Sequence, residues 1–160
     1  MLLVLTQDPQ VRRWAEDPRS GSQRWGGIGH APAGPQQGAD AWWRQALPHL
    51  GAQEPLLLAA HGNDTEIGDP DPDGWGWTVG AVVGALGAAP AAWRGPVVIW
   101  ACAEQVTNFS ARLAVALGAA QVFDGLWVYG FNRPVPVDKT FPDPALLGQQ
   151  VDLQPTQVTF

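Results

Sequence analysis

Two short apolar runs restrict the fold of this chain more than any other feature. Pro55-Leu56-Leu57-Leu58-Ala59-Ala60 ends abruptly at His61-Gly62, and Pro96-Val97-Val98-Ile99-Trp100-Ala101 ends at Cys102. Neither run alternates polar with apolar, so neither suits a strand with one wet face. Each predicts a strand covered on both sides, as in the middle of a parallel sheet. Parallel neighbours need long crossovers, and the intervening chain has the length to supply them.

The rest of the sequence can be read around these two strands. Leu2–Leu5 is a further strand, ended by the turn Thr6-Gln7-Asp8-Pro9, with a short helical turn over Val11–Glu16. Arg19–Gly38, rich in Gly, Pro, Ser and Gln, predicts a mobile loop. Asp40–Leu50 reads as a helix with Asp40 as its N-cap and Trp43, Ala46, Leu47 and Leu50 on one face. Asn63–Gly76 is polar and loop-like, and Trp77–Ala89 is apolar enough for a helix against the sheet. Thr107 or Asn108 can cap a helix bearing Phe109, Leu113, Ala116 and Leu117, closed by Gly118. Gln121–Phe123 and Leu126–Tyr129 are strand candidates. From Pro134 to 160 an irregular tail is expected, with a short strand at Gln157–Phe160. Strand and helix alternate, so the expected class is α/β: one domain over 1–160, a mainly parallel sheet, and helices on both faces.

Charge narrows the partners. Among 160 residues there are 9 Lys and Arg against 15 Asp and Glu, for a net charge of −6 and no basic run. Nucleic acid and anionic membranes both need clustered positive charge, so neither is expected. No apolar stretch approaches the ~20 residues of a membrane span, and Met1–Leu5 lacks a signal peptide's basic region. A cytoplasmic setting is expected. The single cysteine rules out an internal disulfide and fits a reducing compartment or a nucleophile. Nine tryptophans are present. Most are expected to fill the core, and some to reach the surface or a cleft.

In parallel sheets reactive groups gather beyond the carboxyl ends of the strands, where His61 and Cys102 both fall. A thiol is only slightly ionised at neutral pH, and an adjacent imidazole activates it. Neighbouring strands lie about 4.8 Å apart, so the two side chains can share one opening. Gly62, without a Cβ, lets its N–H approach a substrate carbonyl, and with the Cys102 N–H it forms a candidate oxyanion hole. Asp64, Glu66, Trp75, Trp77 and Trp127 are candidates for substrate binding, with Trp100 assigned to the core. The acidic residues Asp64, Glu66 and Asp69 would suit a basic substrate group if they are more than solvated loop charge. No third group orienting His61 can be named. No metal or cofactor is expected: His30 and His49 have no ligand-like spacing to His61 or Cys102.

The order strand, His-Gly, then about forty residues later strand, Ala-Cys resembles the caspase-like (clan CD) cysteine peptidases, which include caspases, legumains, gingipains, separases and the cysteine protease domains of autoprocessing toxins. The matching blocks are Leu56–Gly62 and Val97–Cys102, within a stretch from about Asp40 to Gly130. The resemblance implies a three-layer caspase-like fold. It makes His61 the general base and acid, Cys102 the nucleophile, and the Gly62 and Cys102 amides the oxyanion hole of an endopeptidase working through an acyl-enzyme. Trp100, Ala103 and Glu104 stand where caspases carry the residues tied to aspartate recognition, so aspartate specificity is not expected. Nor is there a Lys/Arg cluster for the inositol hexakisphosphate that activates the toxin domains. The Cys-before-His order of papain-like enzymes and the Cys-x5-Arg of tyrosine phosphatases are both absent. The expected partner is a peptide or protein substrate. The alternatives are an inactive caspase-fold domain that binds a protein partner, and a Cys-dependent amidase or acyltransferase.

Overall fold

The structure, a computed structural model, describes residues 1–71, 73–102, 108–120 and 126–147, with the backbone of Gln157–Val158. A six-stranded sheet runs in the order β2 (Ile28–His30), β1 (Leu2–Val4), β3 (Leu56–Ala59), β7 (Val97–Trp100), β8 (Val128–Tyr129) and β9 (Gln157–Val158). Its first five strands are parallel, and only β9 is antiparallel. A second, antiparallel sheet contains β4 (His61–Gly62), β5 (Glu66–Gly68) and β6 (Gly76–Thr78). The two expected central strands lie side by side, with Ala59 opposite Trp100, and all eight of their residues are buried.

Helices are set by their caps and by their buried stripes. In α1 (Pro9–Glu16) Asp8 accepts the Gln10 N–H at 2.6 Å and Pro9 takes a first-turn position where no N–H is needed. α2 (Gln36–Ala46) buries Ala39 and Trp43. α3 (Val79–Leu86) is capped by Thr78, and α4 (Phe109–Ala119) by Asn108, whose carboxamide also reaches the Phe131 carbonyl at 3.0 Å. Alternate residues of the central strands point to opposite faces. Leu56, Leu58, Val97 and Ile99 join α2, α3 and α4 in one core, while Leu57, Ala59, Val98 and Trp100 join α1 and the 131–141 segment in the other. Each buried Leu or Val contributes on the order of 1.5–3 kcal/mol. Among the described residues no helix is long and apolar enough to cross a membrane.

Several expectations need correction. Arg19–Gly38 is not one loop: it contains the 3-10 turn Ser22–Trp25, the edge strand β2 and the start of α2. Its glycines admit a strand because Gly29 lies against the Trp42 ring, where a Cβ would come within 2.7 Å. Asp40 is not an N-cap but sits inside α2, where its carboxylate takes the Trp77 indole N–H. The polar Asn63–Gly76 segment contains β5, and Trp77 belongs to β6, with α3 starting only at Val79. The tryptophans, by contrast, divide as expected: six are buried, while Trp14, Trp42 and Trp127 are half-buried. Gln121–Phe123 and most of the tail after Leu147 lie outside the described residues.

The small sheet depends on close backbone approach at Gly68, where an added Cβ would meet the Trp75 carbonyl oxygen at 2.0 Å. Gly68→Ala is therefore expected to destabilise the protein by roughly 1–3 kcal/mol. Gly80, in the exposed start of α3 with nothing near it, should tolerate alanine or gain up to ~1 kcal/mol. Urea midpoints of the two variants check this contrast, and equal shifts would contradict it.

Candidate functional site

Where β3 ends, the chain changes sheets. Ala60 still donates to the Trp100 carbonyl in the main sheet at 3.0 Å, and the next residue, His61, pairs instead with Gly68 in the small one. The switch needs a residue without a side chain at position 62: a Cβ on Gly62 would stand 2.9 Å from the Ala101 Cβ and 3.0 Å from the Glu66 carbonyl oxygen. Asn63 then closes the β4–β5 turn, its Oδ1 accepting from the Thr65 N–H at 2.8 Å and the Glu66 N–H at 3.1 Å.

His61 and Cys102 leave the sheet on the same face. Two residues back, Ala59 and Trp100 are register partners and share one core. On that face His61 meets Asp8 at the start of α1, while the Cys102 sulfur meets Val135, whose N–H points to it from 3.4 Å and whose carbonyl lies at 3.7 Å. Cys102 is half-buried. Beneath it, Trp100 packs edge-on against Phe131 and Phe141, with ring centroids 5.1 and 4.9 Å away.

The contact missed by the sequence reading is His61 Nε2 to Asp8 Oδ2 at 2.6 Å, with the side chains 23 % and 17 % exposed. Burial pushes the Asp8 carboxyl upward, but the Gln10 N–H, the His61 ring and the Val11 N–H together outweigh it and hold the group below its ordinary value of 3.8. An ionised carboxylate only accepts, so the proton at this contact belongs to Nε2. The neutral imidazole then keeps its lone pair on Nδ1, the nitrogen left to act as a base. The signal for Asp8 was present in Asp8-Pro9, an N-cap followed by a first-turn proline directly after a buried strand.

Asp69 is likewise more than loop charge. Its Oδ1 accepts from the Thr6 hydroxyl and the Gln7 N–H, both at 2.6 Å, and its Oδ2 from the Trp75 N–H at 3.0 Å and Gln7 Nε2 at 3.2 Å. Burial again acts upward, and these bonds prevail, holding the carboxyl below 3.8.

A cleft of about 370 Å³ opens beside His61, lined also by Gly62, Glu66, Asp69, Trp75 and Gly76. Cys102 is not among the described residues that line it. Of the candidate binding residues, Glu66 and Trp75 border this cleft, although the Trp75 ring is almost wholly buried and donates to the Gly34 carbonyl. Asp64 is half-buried in the β4–β5 turn, and the cleft's lining residues do not include it. Trp77 is core, edged against Trp43 and Trp75. Trp127 belongs to the opposite end of the sheet: its carbonyl accepts the Val97 N–H at the start of β7, next to Pro55 and Pro96. Sequence proximity to a strand did not say which end of it the residue would occupy.

Among the described residues no cluster of three or more His, Cys, Asp or Glu side chains is arranged to hold a metal ion. Comparison with protein-family models, with curated proteins and with solved structures finds no match.

The depressed carboxyls fix a pH dependence. A group bound more weakly to its proton in the folded state stabilises the fold above its unfolded pKa and loses that contribution as pH falls through the folded one. The carboxylates' share of stability should therefore hold steady from pH 7 to about 5 and decline below about 4, lowering the urea midpoint there. Asp69→Asn should show a shallower decline over the same acid range. Identical slopes for the two proteins would contradict the carboxylate's role.

Proposed function

We propose that the protein is a cysteine-dependent hydrolase of the caspase-like kind, most simply an endopeptidase, acting through an Asp8–His61–Cys102 triad. The observation that carries this reading is the Asp8–His61 contact at the ends of β1 and β3. The chain runs from β1 outward to β2, then returns to β3 on the other side of β1. The strand order reverses there, and such a reversal opens the crevice in which α/β sheets bind ligands. α1 and α2 pack on opposite faces of the sheet, so neither closes it. β7, adjacent to β3, brings Cys102 to the same end and the same face.

In this reading Asp8 holds the Nε2–H tautomer and stabilises the imidazolium. His61 Nδ1 takes the thiol proton as the Cys102 sulfur attacks the substrate carbonyl. The Gly62 and Cys102 amides stabilise the oxyanion, a role whose loss typically costs about 3–4 kcal/mol per donor. The tetrahedral intermediate collapses to a thioester as His61 returns the proton to the leaving amine, and water, deprotonated by the same ring, releases the acid. An amidase or acyltransferase would share all steps up to the thioester.

The second reading, an inactive scaffold that binds a protein partner, is favoured by one observation: Val135 occupies the surroundings of the sulfur. Because Cys102 is the only cysteine, iodoacetamide labelling separates the two. Under the hydrolase reading Cys102 labels near neutral pH, and His61→Ala slows the reaction roughly ten-fold or more. Digestion of a peptide library should then proceed with the wild type and not with Cys102→Ala. Equal labelling of wild type and His61→Ala, with no cleavage, would leave the inactive scaffold.

A further inference from the structure

We infer that Asp69 is a positioning residue for the Asp8–His61 pair, acting through Thr6. The inference rests on the triad reading above and names the device that sets its geometry. Thr6 is fully buried, and its hydroxyl stands between two groups: it donates to Asp69 at 2.6 Å and accepts the Asp8 N–H at 3.1 Å. An ionised carboxylate cannot donate, so Asp69 fixes the direction of the Thr6 proton and turns the hydroxyl's lone pairs toward Asp8. The same carboxylate oxygen holds the Gln7 N–H. The two residues immediately before Asp8 are thus anchored to one side chain.

That side chain comes from the element that also holds the other member of the pair. Asp69 directly follows Gly68, the strand partner of His61. Its own backbone and carboxylate are locked to Trp75, by Asp69 N–H to the Trp75 carbonyl at 2.8 Å and by the Trp75 N–H to Oδ2 at 3.0 Å. The β5–β6 hairpin therefore fixes His61 through its backbone and Asp8 through Asp69 and Thr6. A hydrogen bond as short as the 2.6 Å contact between Asp8 and His61 tolerates little relative movement of its two sides. Asp69 does not touch His61 or Cys102 in any described contact; its influence on the thiol passes through Asp8.

A double-variant cycle on iodoacetamide labelling of Cys102, followed across pH with the full chain, tests this. Asp69→Ala should slow labelling roughly ten-fold, with a pH–rate profile that coincides with that of Asp8→Asn. The combined variant should label no more slowly than Asp8→Asn alone, because a residue acting through Asp8 has nothing further to remove. Thr6→Val, which breaks the relay and leaves Asp69 in place, should match this profile, and Thr6→Ser should restore the wild-type one. These hydroxyl variants also decide the matter if Asp69→Ala does not fold. Multiplying effects in the combined variant, or wild-type labelling of Thr6→Val, would overturn the inference while leaving the triad standing. If His61→Ala and Asp8→Asn both label as fast as the wild type, the triad itself falls and this inference with it.

Discussion

The backbone ladder joining β1, β3 and β7 is the constraint on which the rest of the molecule depends. Both faces of these strands are covered, so their peptide groups have no access to water and must bond to one another. That requirement locks the register, with Leu57 opposite Leu2 on one side and Val98 on the other. Once the register is locked, the places where the three strands stop are locked too. His61 and Cys102 follow two of those ends directly, and Asp8 follows the third after the short Leu5–Gln7 segment.

Around this rigid centre tryptophans tie distant parts of the chain together. Five indole N–H groups reach across the chain to oxygen atoms: Trp14 to Lys139, Trp25 to Pro142, Trp75 to Gly34, Trp77 to Asp40 and Trp93 to Glu54. Each net hydrogen bond is worth only about 1 kcal/mol, but in four of the five, Trp25, Trp75, Trp77 and Trp93, a large ring is buried beside it. Trp14 and Trp25 hold the segment that leads from Val135 toward Pro144 against α1 and the Ser22–Trp25 turn. The Val135 contact with Cys102 depends on that anchoring. An indole that finds an acceptor can be buried without cost to its polar atom, and most of the nine tryptophans fill the core.

The parts legible in the sequence were those governed by local periodicity and by burial on two faces. Leu56–Ala59 and Val97–Trp100 were read to within a residue or two, and so were Asn108 as a cap and Trp100 as core. The small sheet was not legible. Its strands are two or three residues long, too short for alternation to show, and they are held by contacts distant in the chain. The pairing of Gln36 with Gly76, through both its carboxamide atoms, is one such contact. Asp8, and the bonds that Asp69 makes to Thr6 and Gln7, were missed for the same reason. An aspartate before proline announces a helix start, yet nothing in the order of residues says that a histidine fifty-three positions later will be its neighbour.

Two kinds of rigidity meet at the candidate site, and they respond differently to conditions. Cys102 and His61 follow strands held by backbone bonds inside apolar layers, and protons do not titrate those. Asp8 is held by side chains: the Thr6 hydroxyl, the Asp69 carboxylate and its own cap on Gln10. Both carboxylates in that knot, Asp8 and Asp69, accept several hydrogen bonds, and those bonds outweigh burial and lower the proton affinity of each. The Asp8 end of the arrangement is therefore the part held by titratable groups, while the strand ends are held by bonds that do not titrate. A site assembled this way separates the durability of the scaffold from the alignment of the Asp8–His61 pair.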